Sequence, residues 1–184
     1  MSNRYEPRKH DIVIVWKNPD KTIHQVIAAG LADDEVHVCY VVSYRWVAEM
    51  HISGLRTNEI SDYLQYAVFR PNPAMTPVLE KSLDYNWRKH RWKRYGWLLG
   101  FSQAFYRWTG LQIPKVPGTM NCSMWVAGIV RYASYLMKAP RSILTKRPYR
   151  YDPARLFDAL MMTPKYKFMG ICTNGMIEPE KEAL

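Results

Sequence analysis

The sequence predicts an α+β fold in which an antiparallel sheet packs against helices. Three observations carry that expectation. Short β-branched apolar runs (DIVIVW, VHVCYVVS and YAVFR) fall within the first 70 residues, each with the length and composition of a buried strand. Helical periodicity takes over after Thr76. The link at Tyr44-Arg45 between the strands at 36–43 and 46–52 is too short for a crossover, so that pair is an antiparallel hairpin. Strands early and helices late is the α+β pattern.

Residues 11–16 form the first strand, closed by the turn chemistry of Asn18-Pro19-Asp20. Residues 22–31 read as a short helix starting at Thr22, with Gly30 near its end. Residues 36–43 and 46–52 are strands joined at Tyr44-Arg45, a hairpin. Ser53-Gly54 turns the chain before Leu55-Arg56. Residues 57–66 read as a helix capped by Thr57, with Ile60, Tyr63 and Leu64 on one face. Residues 66–70 are again a strand, stopped by Pro71 and Pro73. Thr76-Pro77 opens a helical pattern that runs to Trp108, with Leu79, Leu83 and Trp87 in register. Residues 111–120, with two prolines and a glycine, are loop. Residues 123–137 form an apolar helix that starts at Asn121 or Cys122, and a Pro- and Arg/Lys-rich connector leads to a last helix over 153–162. The chain is expected to be one domain over residues 1–184, with its core over about 11–165 and a C-terminal tail over 166–184, frayed and acidic from Glu178.

Composition narrows the function classes. Hydrophobic residues at 48% and charged residues at 23% are globular proportions. Three scattered cysteines do not make a disulfide framework and point to reduced thiols. The polar start lacks a signal-peptide core, and apolar runs fall short of the ~20 residues that span a bilayer. These features imply a cytoplasmic or virion-associated setting. A net charge of +10 favours acidic partners: nucleic acid, lipid head groups, cell-wall polymer or an acidic protein. Nothing in the sequence calls for a cofactor. His37-x-Cys39 lacks a second pair at metal-ligand spacing, and Gly-rich phosphate loops and the GxSxG elbow are missing.

Cys122 is the candidate nucleophile. A helix N-terminus lowers a thiol's pKa through unpaired N–H groups and the helix dipole, and Cys122 follows a loop and opens an apolar helix. A thiolate needs a base, and the base needs an orienting partner. His37, in an apolar strand whose alternation groups it with Cys39 and Val41, is the candidate base. Glu49, between Ala48 and Met50 in the adjoining strand, is the candidate acceptor for the imidazole's other N–H. Each has a plainer reading: an inert core cysteine, a satisfied buried histidine, a solvated strand glutamate.

The order of these pieces resembles the permuted papain-like amidases of the NlpC-type peptidase superfamily, relatives of lecithin retinol acyltransferase. The matching segments are DIVIVW, VHVCYVV, VAEMHISGLRTNEISDYLQYAVFRP, YGWLLGF, NCSMWVAGIVRYA and PARLFDALM, over residues 11–165. The resemblance implies a circularly permuted papain-like fold, Cys122 as nucleophile, His37 as general base, Glu49 as the residue that orients it and Tyr95 as a contributor to the oxyanion site. Three features depart from the pattern. The insert before His37 looks helical, His51 rivals Glu49 for the third position, and Met124 stands where an acidic or small residue is usual.

Two function classes follow. One is a thiol hydrolase or acyltransferase acting on a peptide, a cell-wall peptide or a lipid ester. The other is a binding or structural module, for nucleic acid or a larger assembly such as a virus particle. It would use the basic aromatic stretch WRKHRWKRYGW, with Arg88, Lys89, Arg91, Lys93 and Arg94 on an anionic ligand. The plainer reading of that stretch is a solvated helix face with its rings in the core.

Overall fold

The runs at residues 12–15, 38–41 and 66–69 are buried on both sides because their apolar residues are continuous rather than alternating. The computed structural model describes residues 3–18, 34–51, 53–72, 76–90, 93–96, 105, 108–111, 119–136 and 144–178. In chain order the strands are β1 (Asn3–Arg4), β2 (Ile12–Trp16), β3 (Glu35–Val41), β4 (Trp46–His51), β5 (Gly54–Glu59), β6 (Gln65–Pro71), β7 (Arg94–Tyr95), β8 (Thr119–Met120), β9 (Tyr166–Thr173) and β10 (Met176–Glu178). Eight of them form one antiparallel sheet in the order β1-β10-β9-β6-β2-β3-β4-β5, and β7 and β8 form a small parallel pair. The helices are α1 (Pro77–Arg88), α2 (Cys122–Leu136) and α3 (Pro153–Met161). The molecule is thus α+β, as expected.

Ile12 and Ile14 face the helices with Val38, Tyr40, Ala48 and Met50. Val13 and Val15 face the other way, onto Cys39, Val41, Val47, Tyr63 and Val68. α2 fills the first side. Its residues 122–127 are all buried, as expected of a helix apolar all round. Trp125, with 0% exposure, meets Tyr40 edge-on with centroids 6.3 Å apart. Full burial of a side chain of that size contributes about 3 kcal/mol.

Local signals set the helix starts. Thr76 Oγ1 accepts from Leu79 N at 3.3 Å, and Asp152 Oδ1 accepts from Arg155 N at 2.8 Å, each with proline in the first turn that follows. Asn121 caps α2: its Oδ1 accepts from Met124 N at 2.9 Å.

Three sequence expectations are corrected. Residues 57–66 are not a helix. β5 pairs with β4 from His51↔Gly54 to Trp46↔Glu59, a 3-10 turn follows over Ile60–Asp62, and β6 begins at Gln65. Ile60 and Tyr63 are buried while Leu64 is 46% exposed, so the supposed common apolar face does not exist. The helix begun at Thr76 ends at Arg88, and Arg94–Tyr95 leaves it to pair with Thr119–Met120. Residues 166–178 are not a tail. β9 lies between β6 and β10, and Asn174 (φ 51°) with Gly175 (φ 80°) makes the tight turn that returns the chain as β10. The helix expected over 22–31 lies outside the described residues. Among the described residues, no helix is long and apolar enough to cross a membrane.

At the head of β2, Asp11 is fully buried and accepts from Arg70 Nη2 at 2.8 Å, Arg70 Nε at 3.0 Å, Tyr5 Oη at 2.8 Å and Arg8 N at 3.0 Å. Removing the cation leaves a buried carboxylate without its counter-charge. Arg70→Met is expected to lower stability by about 3 kcal/mol, measured as a fall in the urea midpoint.

Candidate active site

Asn121 fixes where α2 begins, and so where the sulfur of the next residue sits. Cys122, 4% exposed, occupies the first turn of α2, where backbone N–H groups have no partner within the helix. The N–H groups of Ser123 and Val38 point at its sulfur. Val38 is available because β3 pairs with β4 only from Cys39↔Glu49 to Val41↔Val47. On the other side, β3 and β2 shift register between Val15 and Trp16, opposite His37 and Glu35.

His37 lies on that stretch, 9% exposed, close enough to Cys122 for each to shift the other's titration. Its Nε2 lies 2.5 Å from Glu49 Oε2. A carboxylate only accepts, so Nε2 carries a proton and Nδ1 is left for the thiol. Glu49, 2% exposed, receives two more donors: Tyr63 Oη on Oε2 at 2.6 Å and Arg56 Nε on Oε1 at 2.7 Å.

The titration of these groups follows from their contacts. Burial raises the pKa of Cys122, but the charge and hydrogen bond of His37, with the two backbone N–H groups, bring it below the ordinary thiol value. Burial lowers His37, and the neighbouring sulfurs more than reverse this, so it stands well above an ordinary histidine. Burial raises Glu49, yet bonds from His37, Tyr63 and Arg56 hold it well below the carboxylate range. These directions favour transfer of the Cys122 proton to His37 beside an ionised Glu49. Cys39 also contacts His37, but burial raises its pKa, so it keeps its proton and the anion beside His37 is Cys122.

Tyr95, on β7, is brought alongside Met120 by the parallel pairing with β8, two residues before Cys122. Burial and the nearby Cys122 sulfur both raise its hydroxyl pKa. Cys122, His37, Glu49 and Tyr95 therefore come together. His51, the rival for the third position, ends β4 with Nδ1 3.1 Å from Ser53 Oγ, and it is Glu49 that holds His37. Two contributors were not foreseen. Arg56 and Tyr63 lie in or beside the segment read as a helix, and the cross-strand pair Glu49↔Arg56 follows only once Ser53-Gly54 is read as a hairpin turn.

The basic stretch is divided. Arg88, Lys89, Lys93 and Arg94 are exposed, and Arg91 lies outside the described residues. Arg88 stands over the Trp87 ring at 5.3 Å and Lys89 over Tyr132 at 5.5 Å, while Trp87 itself packs against the core.

His37, Cys39 and Glu49 present potential metal-ligand atoms within 4.8 Å of one another. Both Glu49 oxygens already accept hydrogen bonds, so a cation there would displace the contacts that hold His37.

No family profile matches the chain, and no curated protein matches it. Among solved structures it is similar to the metalloprotein yiiX from Escherichia coli O157:H7, DUF1105. The TM-score is 0.56 at 13% identity, covering 96% of this chain and 99% of that one. At that identity the likeness is one of fold.

Glu49 is more acidic when folded than its ordinary value of 4.5. A depressed carboxylate stabilises the fold above its unfolded pKa, and that contribution is lost as pH falls through the folded one. Unfolding free energy should therefore fall below about pH 4.5, less steeply in Glu49→Gln, as read from denaturant titrations at a series of pH values.

Proposed function

We infer that the chain is a cysteine hydrolase or acyltransferase of permuted papain-like fold, which cleaves an amide or ester through an acyl-enzyme on Cys122. One observation carries the reading: the Cys122 thiol at the start of α2 lies beside His37, whose Nε2 is held by Glu49. The order of the segments along the chain, from DIVIVW to NCSMWVAGIVRYA, supports the family.

In the first step the Cys122 sulfur forms a bond to the substrate carbonyl carbon, and the carbonyl π pair moves to oxygen. The backbone N–H of Cys122, together with the Tyr95 hydroxyl, stabilises that oxyanion. The tetrahedral intermediate then collapses, and the leaving nitrogen or oxygen takes the proton from His37 Nδ1. In the second step neutral His37 removes a proton from water, or from an acceptor hydroxyl or amine, which displaces the thiol. Oxyanion donors in such sites contribute about 3 kcal/mol to the transition state, and a positioned acid–base residue gives about 10²–10⁴-fold in rate. The substrate class is a peptide, a cell-wall peptide or a lipid ester.

The alternative is a non-catalytic binding module for nucleic acid or a large assembly. It is favoured by the exposed Arg88, Lys89, Lys93 and Arg94, which run from the end of α1 into β7. Its affinity would fall steeply with salt and would not depend on Cys122.

p-Nitrophenyl acetate separates the two. The enzyme reading expects peptide mapping to find the acetyl group on Cys122, and Cys122→Ser to slow ester cleavage by at least about a hundredfold. Cleavage at the wild-type rate by Cys122→Ser contradicts it.

A further inference from the structure

We propose that Arg56 and Tyr63 are positioning residues for the Cys122–His37 pair, acting through the carboxylate of Glu49. The proposal rests on the thiol-hydrolase reading and extends it to two side chains beyond the nucleophile, base and carboxylate.

The terminal torsion of a glutamate is intrinsically broad, so one hydrogen bond to His37 does not fix the carboxylate plane. Here three donors do. His37 Nε2 and Tyr63 Oη converge on Oε2 at 2.5 and 2.6 Å, and Arg56 Nε takes Oε1 at 2.7 Å. They come from β3, from the residue after the 3-10 turn and from β5. A rotation that turns Oε2 away from His37 breaks all three bonds. The Tyr63 ring also lies within 23° of parallel to the imidazole, with centroids 6.4 Å apart. Arg56 is 44% exposed while the Glu49 side chain is 3% exposed, so the guanidinium stands between the carboxylate and solvent.

Six titratable or charged groups surround Glu49 and His37: Cys39 from β3, Cys122 from α2, His51 from β4, Arg56 from β5, Tyr63 and Tyr95. Of these, the Arg56 guanidinium is the one that bonds Oε1 directly, at 2.7 Å. Its bond to Oε1 adds to those of His37 and Tyr63 in keeping Glu49 ionised, and a fixed Glu49 holds the imidazole against the Cys122 sulfur.

The test is the pH dependence of acetylation by p-nitrophenyl acetate, in which the Cys122 sulfur bonds to the acetyl carbon and p-nitrophenolate departs with the electron pair. Wild type, Arg56→Met, Arg56→Lys and Tyr63→Phe are compared. In wild type the acid limb is expected well below the ordinary thiol range. In Arg56→Met and Tyr63→Phe it should move up towards that range, with the plateau at least about tenfold lower. Arg56→Lys, which keeps the cation, should bring the limb back towards wild type.

Thermal melts by circular dichroism serve as the control. A merely structural role lowers the melting temperature without moving the limb, and that result overturns the proposal. Limbs of Arg56→Met and Tyr63→Phe that superpose on a depressed wild-type limb also overturn it, and leave the Cys122–His37 pair standing. An ordinary-thiol limb in wild type overturns the hydrolase reading and this proposal together.

Discussion

An ionised carboxylate with 2% exposure costs several kcal/mol in lost hydration, and the centre of this molecule is organised around one. Glu49 sits on a strand whose neighbours, Ala48 and Met50, are fully buried. Its position is tolerable because three donors reach it from three parts of the chain. Each of them has a second consequence. The bond from His37 sets the tautomer of the ring, the bond from Tyr63 anchors the segment after the 3-10 turn beneath the sheet, and the bond from Arg56 ties the edge strand β5 to β4. Glu49 fixes Nε2 of the ring, while the neighbouring sulfurs favour its charged form.

The sheet and the helix meet at that centre for separate reasons. The first two turns of α2 are apolar on every side and must be enclosed, so it lies against β3 and β4 with Trp125 as its anchor. Asn121 stops it one residue before Cys122. β3 parts from β4 beyond Cys39, which frees the Val38 N–H for the sulfur. Packing thus brings the helix end to the open start of the strand, and the hydrogen bonds there follow from sequence positions that packing alone does not require. Burial of the second thiol, Cys39, raises its pKa and prevents it from competing for the imidazolium.

Much of this was legible in the chain. The runs at residues 12–16 and 35–41 are apolar and β-branched, and the first two turns of α2 are apolar all round, so each declared itself without tertiary information. Cys122, His37 and Glu49 were also readable as a set, because a helix start, a strand and its hairpin partner each held one chemically competent group. Residues 57–66 failed because Ile60 and Tyr63 keep helical spacing, while Arg56 and Thr57 are held in a ladder by pairing with Glu49 and Ala48 that no local pattern reports. The β9–β10 hairpin is different: Asn174-Gly175 is a strong turn signal, and the alternation of Tyr166–Thr173 is broken where its register against β6 shifts, so that Tyr166 and Phe168 pack on one side of the sheet and Cys172 on the other. Arg56 and Tyr63 went unseen for the same reason as β5, since their role appears only when Glu49 is known to lie beneath them.

The central claim is that Cys122 is a thiolate because His37, held by Glu49, is an imidazolium. The most direct test is the pH dependence of iodoacetamide alkylation at Cys39, Cys122 and Cys172, resolved by peptide mapping, in wild type and His37→Ala. The account predicts that Cys122 alone reacts quickly below pH ~7, and that His37→Ala returns it to the behaviour of an ordinary thiol. Ordinary reactivity of Cys122 in wild type, or fast low-pH reaction that survives in His37→Ala, would contradict it.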